Sequence, residues 1–449
     1  MSSNRISFAL FAVVVGCSSG TDPREVGATP APLEECPVPT GPTMHRGDVK
    51  GNEVWTAAGS PHIVEWDVNV RDGATLTLEP CAEVQIKKDK GIRVAFPMTP
   101  NRGTLIAEGT QKKPIKIVGF EGQRWGQLFV HAPGKARLAH LTLEGGGGNG
   151  SPSGASLVYF GDGLLPSKKD VLVDHVTIKG SLGAGAKLDR GAAFDAASTQ
   201  LVITGSGGLP LEIGEQAINT VPDGKYVGNE TDEILIEPET VDSRGGLQED
   251  ATMHERGVPY RVGTSPGLDH LRIAGRKDEK TVTLTIEPGV TVKFLKGSAF
   301  QIEHFTGEFA APAVLVAVGT AEKPITFTSA APAPKAGDWQ GLWFGGIPRA
   351  ENRLEHVRIE YTGADCGCIL VTCNSLAEYE GAVIFTQPPP SAFIKNSVIA
   401  NGSSHGIVNG YDGSAPDFAA TNAFEGLAGC AQTLPRTPTC PVPRPACGS

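Results

Sequence analysis

Short runs in which apolar and polar residues alternate make up most of the chain, and Gly, Pro, Asn and Asp separate them. Residues 76–86 read Leu-Thr-Leu-Glu-Pro-Cys-Ala-Glu-Val-Gln-Ile, and residues 284–294 read Leu-Thr-Ile-Glu-Pro-Gly-Val-Thr-Val-Lys-Phe. Apolar residues at every second position are typical of a strand that buries one of its faces. The pattern therefore predicts many short strands joined by turns, with little helix.

These phrases occur twice along the chain, about 200 residues apart, and the spacing drifts slowly from one phrase to the next. Such a drift is expected where insertions fall in loops while the strands are kept. The chain is therefore predicted to be an all-β solenoid with an internal duplication, in which each coil contacts only its neighbours. The other matched segments are 109–115 with 319–325, 125–129 with 339–343, and 138–144 with 354–360.

Composition divides the chain into five segments. A Pro-, Gly- and Thr-rich stretch is predicted to be a disordered tether, and a Cys- and Pro-rich stretch is predicted to be a C-terminal cap or tail. The predicted segments are a signal peptide at 1–17, the tether at 18–45, the first β-helix copy at 46–197, the second copy at 198–425, and the cap or tail at 426–449.

The repeated phrases resemble those of secreted bacterial proteins with a right-handed parallel β-helix. Leu-Thr-Ile-Glu-Pro-Gly-Val (284–290) and Leu-Glu-His-Val-Arg-Ile-Glu (354–360) carry this resemblance, and the segment around Asn396 and Asn401 resembles the coils of the pectate-lyase-like superfamily. The resemblance implies a single-stranded right-handed parallel β-helix over most of residues 50–412. It does not imply an activity, because lyases, hydrolases, adhesins and inert surface proteins share these phrases.

The N-terminus has the pattern of a processed export signal. An apolar stretch, 6–15, follows Arg5 and ends in Val-Val-Gly-Cys at 14–17, which resembles the lipobox of bacterial lipoproteins. The resemblance implies that Cys17 is acylated and becomes the first residue of the mature chain. We therefore expect a lipoprotein of the bacterial cell envelope, anchored in the outer membrane and facing the cell surface, with the lipid as its only membrane contact.

The eight other cysteines form an even set that suits disulfides in an oxidising compartment. Cys36 and Cys81 are expected to join the tether to the first coils. The six remaining cysteines leave fifteen pairings open, and no metal site or cofactor is expected from them. These six are Cys366, Cys368, Cys373, Cys430, Cys440 and Cys447.

The net charge of −10 argues against nucleic acid as a partner, because binding to phosphates needs a basic surface. Catalytic residues are harder to find. Val-Leu-Val-Asp-His at 171–175 resembles a phrase of pectate lyases, which makes Asp174 and Arg190 the candidates for proton chemistry. However, the histidine position recurs at His140 and His356, as expected of a turn or stacking position, and we assign no catalytic residue.

Tryptophans are the candidate ligand contacts. Trp125 and Trp339 occupy equivalent repeated positions and are expected to close coil corners, whereas Trp343 replaces Phe129 and is the better candidate for an exposed sugar platform. Trp339 and Trp343 would share a face of a regular strand.

Three hypotheses for the function follow. The first is a non-enzymatic, lipid-anchored surface scaffold that binds a polysaccharide or another surface protein. The alternative is a polysaccharide lyase or glycoside hydrolase that uses acids on one face. The third is a structural spacer. The enzyme hypothesis requires a unique cluster of acids with a basic residue, which the repeated pattern does not contain.

Overall fold

The structure is a computed structural model that describes residues 35–96, 101–241, 244–273, 280–303, 312–365, 380–436 and 446–448. The strands of the described residues lie in one unit, Cys36–Ser449. The helices of the described ranges are short 3₁₀ segments, and none of them is long and apolar enough to cross a membrane. These helices are Phe120–Gly122, Pro152–Gly154, Glu215–Thr220 and Ala419–Thr421.

The first nineteen strands run from the N-terminal edge to the middle of the unit. They are β1 Thr43–Asp48, β2 Asn52–Trp55, β3 His62–Val70, β4 Thr75–Leu78, β5 Glu83–Ile86, β6 Ile92–Val94, β7 Thr104–Glu108, β8 Ile115–Gly119, β9 Leu128–His131, β10 Lys135–Ala139, β11 Leu141–Glu144, β12 Leu157–Phe160, β13 Lys168–Lys179, β14 Ala186–Asp189, β15 Ala192–Phe194, β16 Thr199–Thr204, β17 Leu211–Gly214, β18 Gly224–Lys225 and β19 Ile234–Glu237.

The remaining strands continue to the C-terminal end. They are β20 Thr240–Val241, β21 Arg244–Gly245, β22 Ala251–Met253, β23 Tyr260–Val262, β24 Leu271–Ile273, β25 Val282–Ile286, β26 Thr291–Phe294, β27 Ala299–Ile302, β28 Ala313–Val318, β29 Ile325–Ser329, β30 Gly341–Phe344, β31 Arg353–Glu355, β32 Val357–Glu360, β33 Gly381–Phe385, β34 Ile394–Lys395, β35 Val398–Ala400, β36 His405–Asn409 and β37 Ala423–Glu425.

The strands stack in three parallel faces, because most of them pair with strands one coil before and one coil after. Face 1 holds β2, β4, β7, β10, the first part of β13 and β15, and then β22, β25, β28, β31 and β34. Face 2 holds β1, the first part of β3, β5, β8, β11, the second part of β13, β16 and β18, and then β23, β26, β29, β32, β35 and β37. Face 3 holds the second part of β3, β6, β9, β12, β14, β17 and β19, and then β24, β27, β30, β33 and β36. The predicted all-β parallel β-helix is confirmed.

The core lies between the three faces and is built from the apolar side chains that point inward at every second position of each strand. In β4, Leu76 and Leu78 are 0% and 1% exposed, while Thr75 and Thr77 on the other phase are half-buried. Each coil stacks its inward side chains on those of the next, since Leu76 lies opposite Leu105 in parallel register. The fold therefore follows directly from the alternation along the chain.

The duplicated phrases form equivalent strands with equivalent partners. β4 pairs with β7 in the first copy and β25 pairs with β28 in the second, and Leu284 lies opposite Leu315 as Leu76 lies opposite Leu105. The same holds for β5 with β8 and β26 with β29. The repetition in sequence is thus a repetition of coils.

The faces are irregular near the start of the segment predicted as the second copy; we call residues 215–262 the seam. Face 1 has the helix Glu215–Thr220 between β15 and β22, where the other coils have a strand. β19 pairs on one side with β17 of face 3 and on the other with β23, which continues into face 2. β20 and β21 add a short antiparallel pair. Main-chain pairing is therefore incomplete at the seam.

Both ends of the solenoid carry a disulfide. Cys36 pairs with Cys81, as predicted, and Cys430 pairs with Cys447. The first strand begins at Thr43, inside the segment predicted as tether, because its exposed side chains hide the alternation. At the other end, the N–H of Ile407 donates to the Ala431 carbonyl, and the N–H of Thr433 donates to the Ile407 carbonyl. Residues after β37 therefore cover β36, the last strand of face 3. Cys366, Cys368, Cys373 and Cys440 lie outside the described residues, as does Cys17.

Candidate functional site

Asp174 and Arg190, the sequence candidates for proton chemistry, lie at opposite ends of face 1. Asp174 is in β13 at the bend toward face 2, and Arg190 is in the turn from β14 to β15, where its guanidinium lies 5.3 Å from the Phe160 ring. Lys168 of β13 lies opposite Ala192, which comes two residues after Arg190. Asp174 lies about six residues further along β13, so roughly 20 Å of strand separates it from Arg190. The fold does not bring them together.

The repeated histidine position is a bend between faces 1 and 2. His140, His175 and His356 all have left-handed backbone, with φ of 43°, 53° and 49°. The His140 and His175 rings stack with centroids 4.7 Å apart, and Asp174 Oδ1 lies 2.6 Å from His175 Nδ1. This arrangement agrees with the expectation of a turn and stacking position.

The repeated glutamates are engaged in ion pairs on the outer surface. Glu144 lies 3.1 Å from Lys179 Nζ, and Glu360 lies 2.6 Å from Arg358 Nε. Glu79 and Glu287 accept backbone N–H groups, from Ala57 and Glu255. Each of these carboxylates has a structural partner, so they fit the expectation that duplicated acids are structural.

Trp125 and Trp339 are fully buried corner residues. The indole N–H of Trp125 donates to the Glu144 carbonyl and that of Trp339 to the Glu360 carbonyl, both at 2.7 Å, so the two corners are equivalent. β30 begins only at Gly341, so the regular strand that would place Trp339 and Trp343 on one face is absent.

Trp343 lies in the outer row of face 3, between Gln301 and Ile384 in register. Its two neighbours are 8% and 1% exposed, and Trp343 itself is half-buried. Its assignment as a ligand contact stays a prediction, and its surroundings leave little ring surface for a sugar.

A group of buried acids, which the sequence pattern had not indicated, lies at the seam. Glu215 is 1% exposed, and burial together with the charge of Glu239 raises its pKa well above the usual value. Burial also raises the pKa of Glu239 to about 7. Paired acids with raised pKa values are a known mark of active sites, and structural networks produce them as well.

The hydrogen bonds of these acids identify a structural role. Glu239 accepts the N–H of Gly191 at 2.8 Å and of Gln216 at 3.3 Å, and Glu215 accepts the N–H of Glu239 at 2.7 Å. A Cβ at Gly214 would lie 2.2 Å from the Glu239 carboxyl carbon, so a side chain at position 214 would displace this carboxylate. The acids take the place of strand carbonyls that the seam lacks.

The exposed aromatic surface lies instead at the corner between faces 2 and 3 in the first coils. Trp66 is 60% exposed and is the only Trp, Tyr or Phe of the described ranges in the exposed class. It sits in the middle of β3, where β1 and β3 shift register between His45 and Gly47. Strict alternation would point Trp66 inward with Val64 and Val68, and the bend turns it outward.

Charged side chains surround the Trp66 ring. Glu65 pairs with Lys87 at 2.8 Å, Asp67 pairs with Arg93 at 3.0 Å, and Lys90 Nζ lies 4.6 Å from the ring centroid. The hydrogen bond from Lys87 is the main cause that lowers the pKa of Glu65. We call Arg46, Glu65, Trp66, Asp67, Lys87, Lys88, Lys90 and Arg93 the Trp66 corner.

The Trp66 corner has the chemistry of a glycan contact. An indole presents a negative π face that packs against the partly positive C–H bonds of a sugar ring. The flanking carboxylates and cations can hydrogen-bond to hydroxyl groups. In the described residues, no group of three or more His, Cys, Asp and Glu side chains could hold a metal ion.

Comparison of the chain with protein-family models, with curated proteins and with solved structures gives no match.

Proposed function

We propose that the protein is a non-enzymatic binding scaffold of the bacterial cell surface, lipid-anchored through Cys17, which binds glycans at the Trp66 corner. The observation that carries the proposal is the exposed Trp66 ring set between two ion pairs on a rigid β-helix. A rigid platform with few rotatable bonds loses little conformational entropy when it binds.

Two features favour binding over catalysis. The buried acids of the seam already accept backbone N–H groups, and the outer glutamates of the repeats are ion-paired. Asp174 and Arg190 are held apart by a strand length. General acid–base chemistry requires both groups within reach of one substrate atom.

Glycan retention tests the binding proposal. The mature protein, purified in detergent, is run through gels containing a panel of soluble polysaccharides. Trp66→Ala should weaken retention about tenfold, the loss of one well-packed aromatic contact of about 1.4 kcal/mol. Trp343→Ala, at the tryptophan that the sequence indicated, is the control that separates the two sites, and it should retain wild-type affinity if the ligand lies at the Trp66 corner. The proposal fails if no glycan retards the wild type or if the control is the variant that loses binding.

The enzyme alternative leaves its own traces. Lyase action creates an unsaturated uronate that absorbs ultraviolet light, and hydrolysis creates reducing ends. We expect neither product from polyuronates or neutral polysaccharides, with calcium present. Turnover that is lost in Asp174→Ala or Arg190→Ala but kept in His356→Ala would replace the scaffold with an enzyme.

The anchor is tested separately by cell fractionation. Cys17→Ala should move the protein from the membrane fraction to the soluble fraction, since several acyl chains on one cysteine are what holds it. A mutant that stays with the membrane, together with a wild type that carries no acyl mass, would contradict the lipid anchor.

A further inference from the structure

The charges of the Trp66 corner differ in sign from those of the whole chain. The chain carries a net charge of −10, whereas the corner has Arg46, Lys87, Lys88, Lys90 and Arg93 against Glu65 and Asp67. Asp89 is a third carboxylate in the same turn, and its Oδ1 accepts the N–H of Asn149 at 2.9 Å. Positive charge is therefore concentrated around the exposed Trp66 ring.

Glu65, Asp67 and the neighbouring Asp89 each have a polar partner, whereas three cations have no carboxylate within ion-pair distance in the described ranges, and one of these cations, Lys90, lies over the Trp66 ring. Glu65 is held by Lys87, Asp67 by Arg93 and Asp89 by the backbone of Asn149. Arg46, Lys88 and Lys90 form no ion pair within the described ranges. The charge available to a ligand is therefore cationic.

These cations flank the ring on successive coils. The register of β1 on β3 places Arg46 beside Glu65–Asp67, and the register of β3 on β5 and β6 places residues 87–91 on the other side. Adjacent coils are about 4.8 Å apart, so cations stand one coil to either side of Trp66. The centroid of the Phe120 ring, in the next turn, lies 5.8 Å from Lys87 Nζ.

We propose that the Trp66 corner selects anionic glycans, whose carboxylate or sulfate groups pair with Arg46, Lys88 and Lys90 while a sugar ring packs on Trp66. This inference rests on the proposed function and names its ligand class. The cations supply attraction that depends on salt, and the indole supplies the preference for a sugar ring over a bare anion.

Dextran and dextran sulfate make the matched test, because they share one backbone and differ in charge. The mature protein should bind dextran sulfate at least about tenfold more tightly than dextran, which corresponds to about 1.4 kcal/mol. Lys88→Gln with Lys90→Gln should remove most of this difference and flatten its salt dependence. Trp66→Ala should weaken binding to dextran sulfate about tenfold while keeping the salt dependence. Lys296→Gln, in the corresponding turn of the second copy, is the control and should bind as wild type.

Each other outcome overturns the inference. Equal affinity for both dextrans would leave a glycan scaffold without anion selectivity. Weaker binding of dextran sulfate by the Lys296→Gln control, or unchanged binding by Trp66→Ala, would indicate nonspecific polyanion exchange. Binding to phosphatidylglycerol vesicles but not to dextran sulfate would make the corner a membrane contact. The polysaccharide panel then decides separately whether the glycan scaffold itself stands.

Discussion

The regular coils and the seam satisfy their main-chain hydrogen-bonding groups by different means. In the coils, main-chain ladders pair every strand with its neighbours, and apolar side chains such as Leu78 and Ile286 fill the core. At the seam, a helix replaces a strand, and side chains of Glu215, Gln216 and Glu239 satisfy the main chain. The coils thus depend on apolar packing, whereas the seam depends on buried polar groups.

The strands on either side of the seam helix show how the substitution works. The N–H of Phe194 in β15 donates to Thr220 Oγ1 at 3.0 Å, and the N–H of Thr252 in β22 donates to Asn219 Oδ1 at 2.9 Å. Both donors would otherwise meet a strand carbonyl. A buried N–H without a partner is costly, so the seam depends on side-chain oxygens such as Thr220 Oγ1, which accepts the buried N–H of Phe194.

The largest effect should come from a charge in the regular core. Leu78→Asp or Ile286→Asp places an unpaired carboxylate in a dry stack, so we expect a loss of unfolding free energy of about 4 kcal/mol or more. Thr77→Asp, on the half-buried outer phase of β4, is the control and should change stability little. Thermal unfolding followed by circular dichroism measures both. A core variant that melts within about two degrees of wild type would mean that the strand faces are wrongly assigned.

Glu239 should make the stability of the seam depend on pH. Glu239 has a folded pKa of about 7 against 4.5 in the unfolded chain, so the folded state holds a proton that the unfolded state releases. Its contribution is complete below about pH 4.5 and is lost as pH rises through about 7, at most about 3 kcal/mol. Denaturant titrations of wild type and Glu239→Gln from pH 5 to 8 should show this difference in slope. Parallel slopes would show that Glu239 does not titrate there.

Removing a carboxylate that accepts a backbone hydrogen bond at the seam should destabilise the protein less than placing a charge in the core. Glu215→Ala leaves the N–H of Glu239 without its carboxylate, with an expected loss of about 2 kcal/mol. Glu215→Gln keeps an acceptor oxygen and should recover most of that loss at pH 8. If the glutamine variant is as unstable as the alanine variant, the charge rather than the hydrogen bond matters at this position.

The smallest effect should be at the exposed rim of the seam. Asn219→Ala removes the acceptor of the Thr252 N–H, a loss of about 1 kcal/mol, whereas Asn219→Asp retains it. Hydrogen exchange at Thr252 measures this bond directly, and its amide should exchange faster only in the alanine variant. Equal protection in all three proteins would show that another group satisfies this N–H.

The fold could be predicted from sequence because the repeated alternation is local. The phrases at 76–86 and 284–294 both specify strands whose inward residues, such as Leu76 and Leu284, are determined by a period of two. The pairing of Cys36 with Cys81 followed from their isolation from the other cysteines. The start of β1 at Thr43 did not follow, because an edge strand buries too little to show an alternation.

The candidate site could not be predicted in the same way. Alternation puts Trp66 in phase with Val64 and Val68, and only the register shift between β1 and β3 turns it outward. For Trp343 the alternation predicts an exposed side chain, but its neighbours on face 3 cover much of the ring. Exposure depends on bends and on what packs above a strand, and neither is encoded in a period of two.

The strands, the duplication, the inward residues and the first disulfide could be inferred before folding is considered, because they depend on alternation, on repetition, or on two cysteines that stand apart from the rest. The tertiary structure decided where a helix replaces a strand, which acids are buried at the seam, and where the exposed aromatic ring lies. The physical reason is that these features arise from pairing between coils, where residues such as Gly214 and Glu239, or Arg46 and Trp66, meet only once the chain has turned through a full coil.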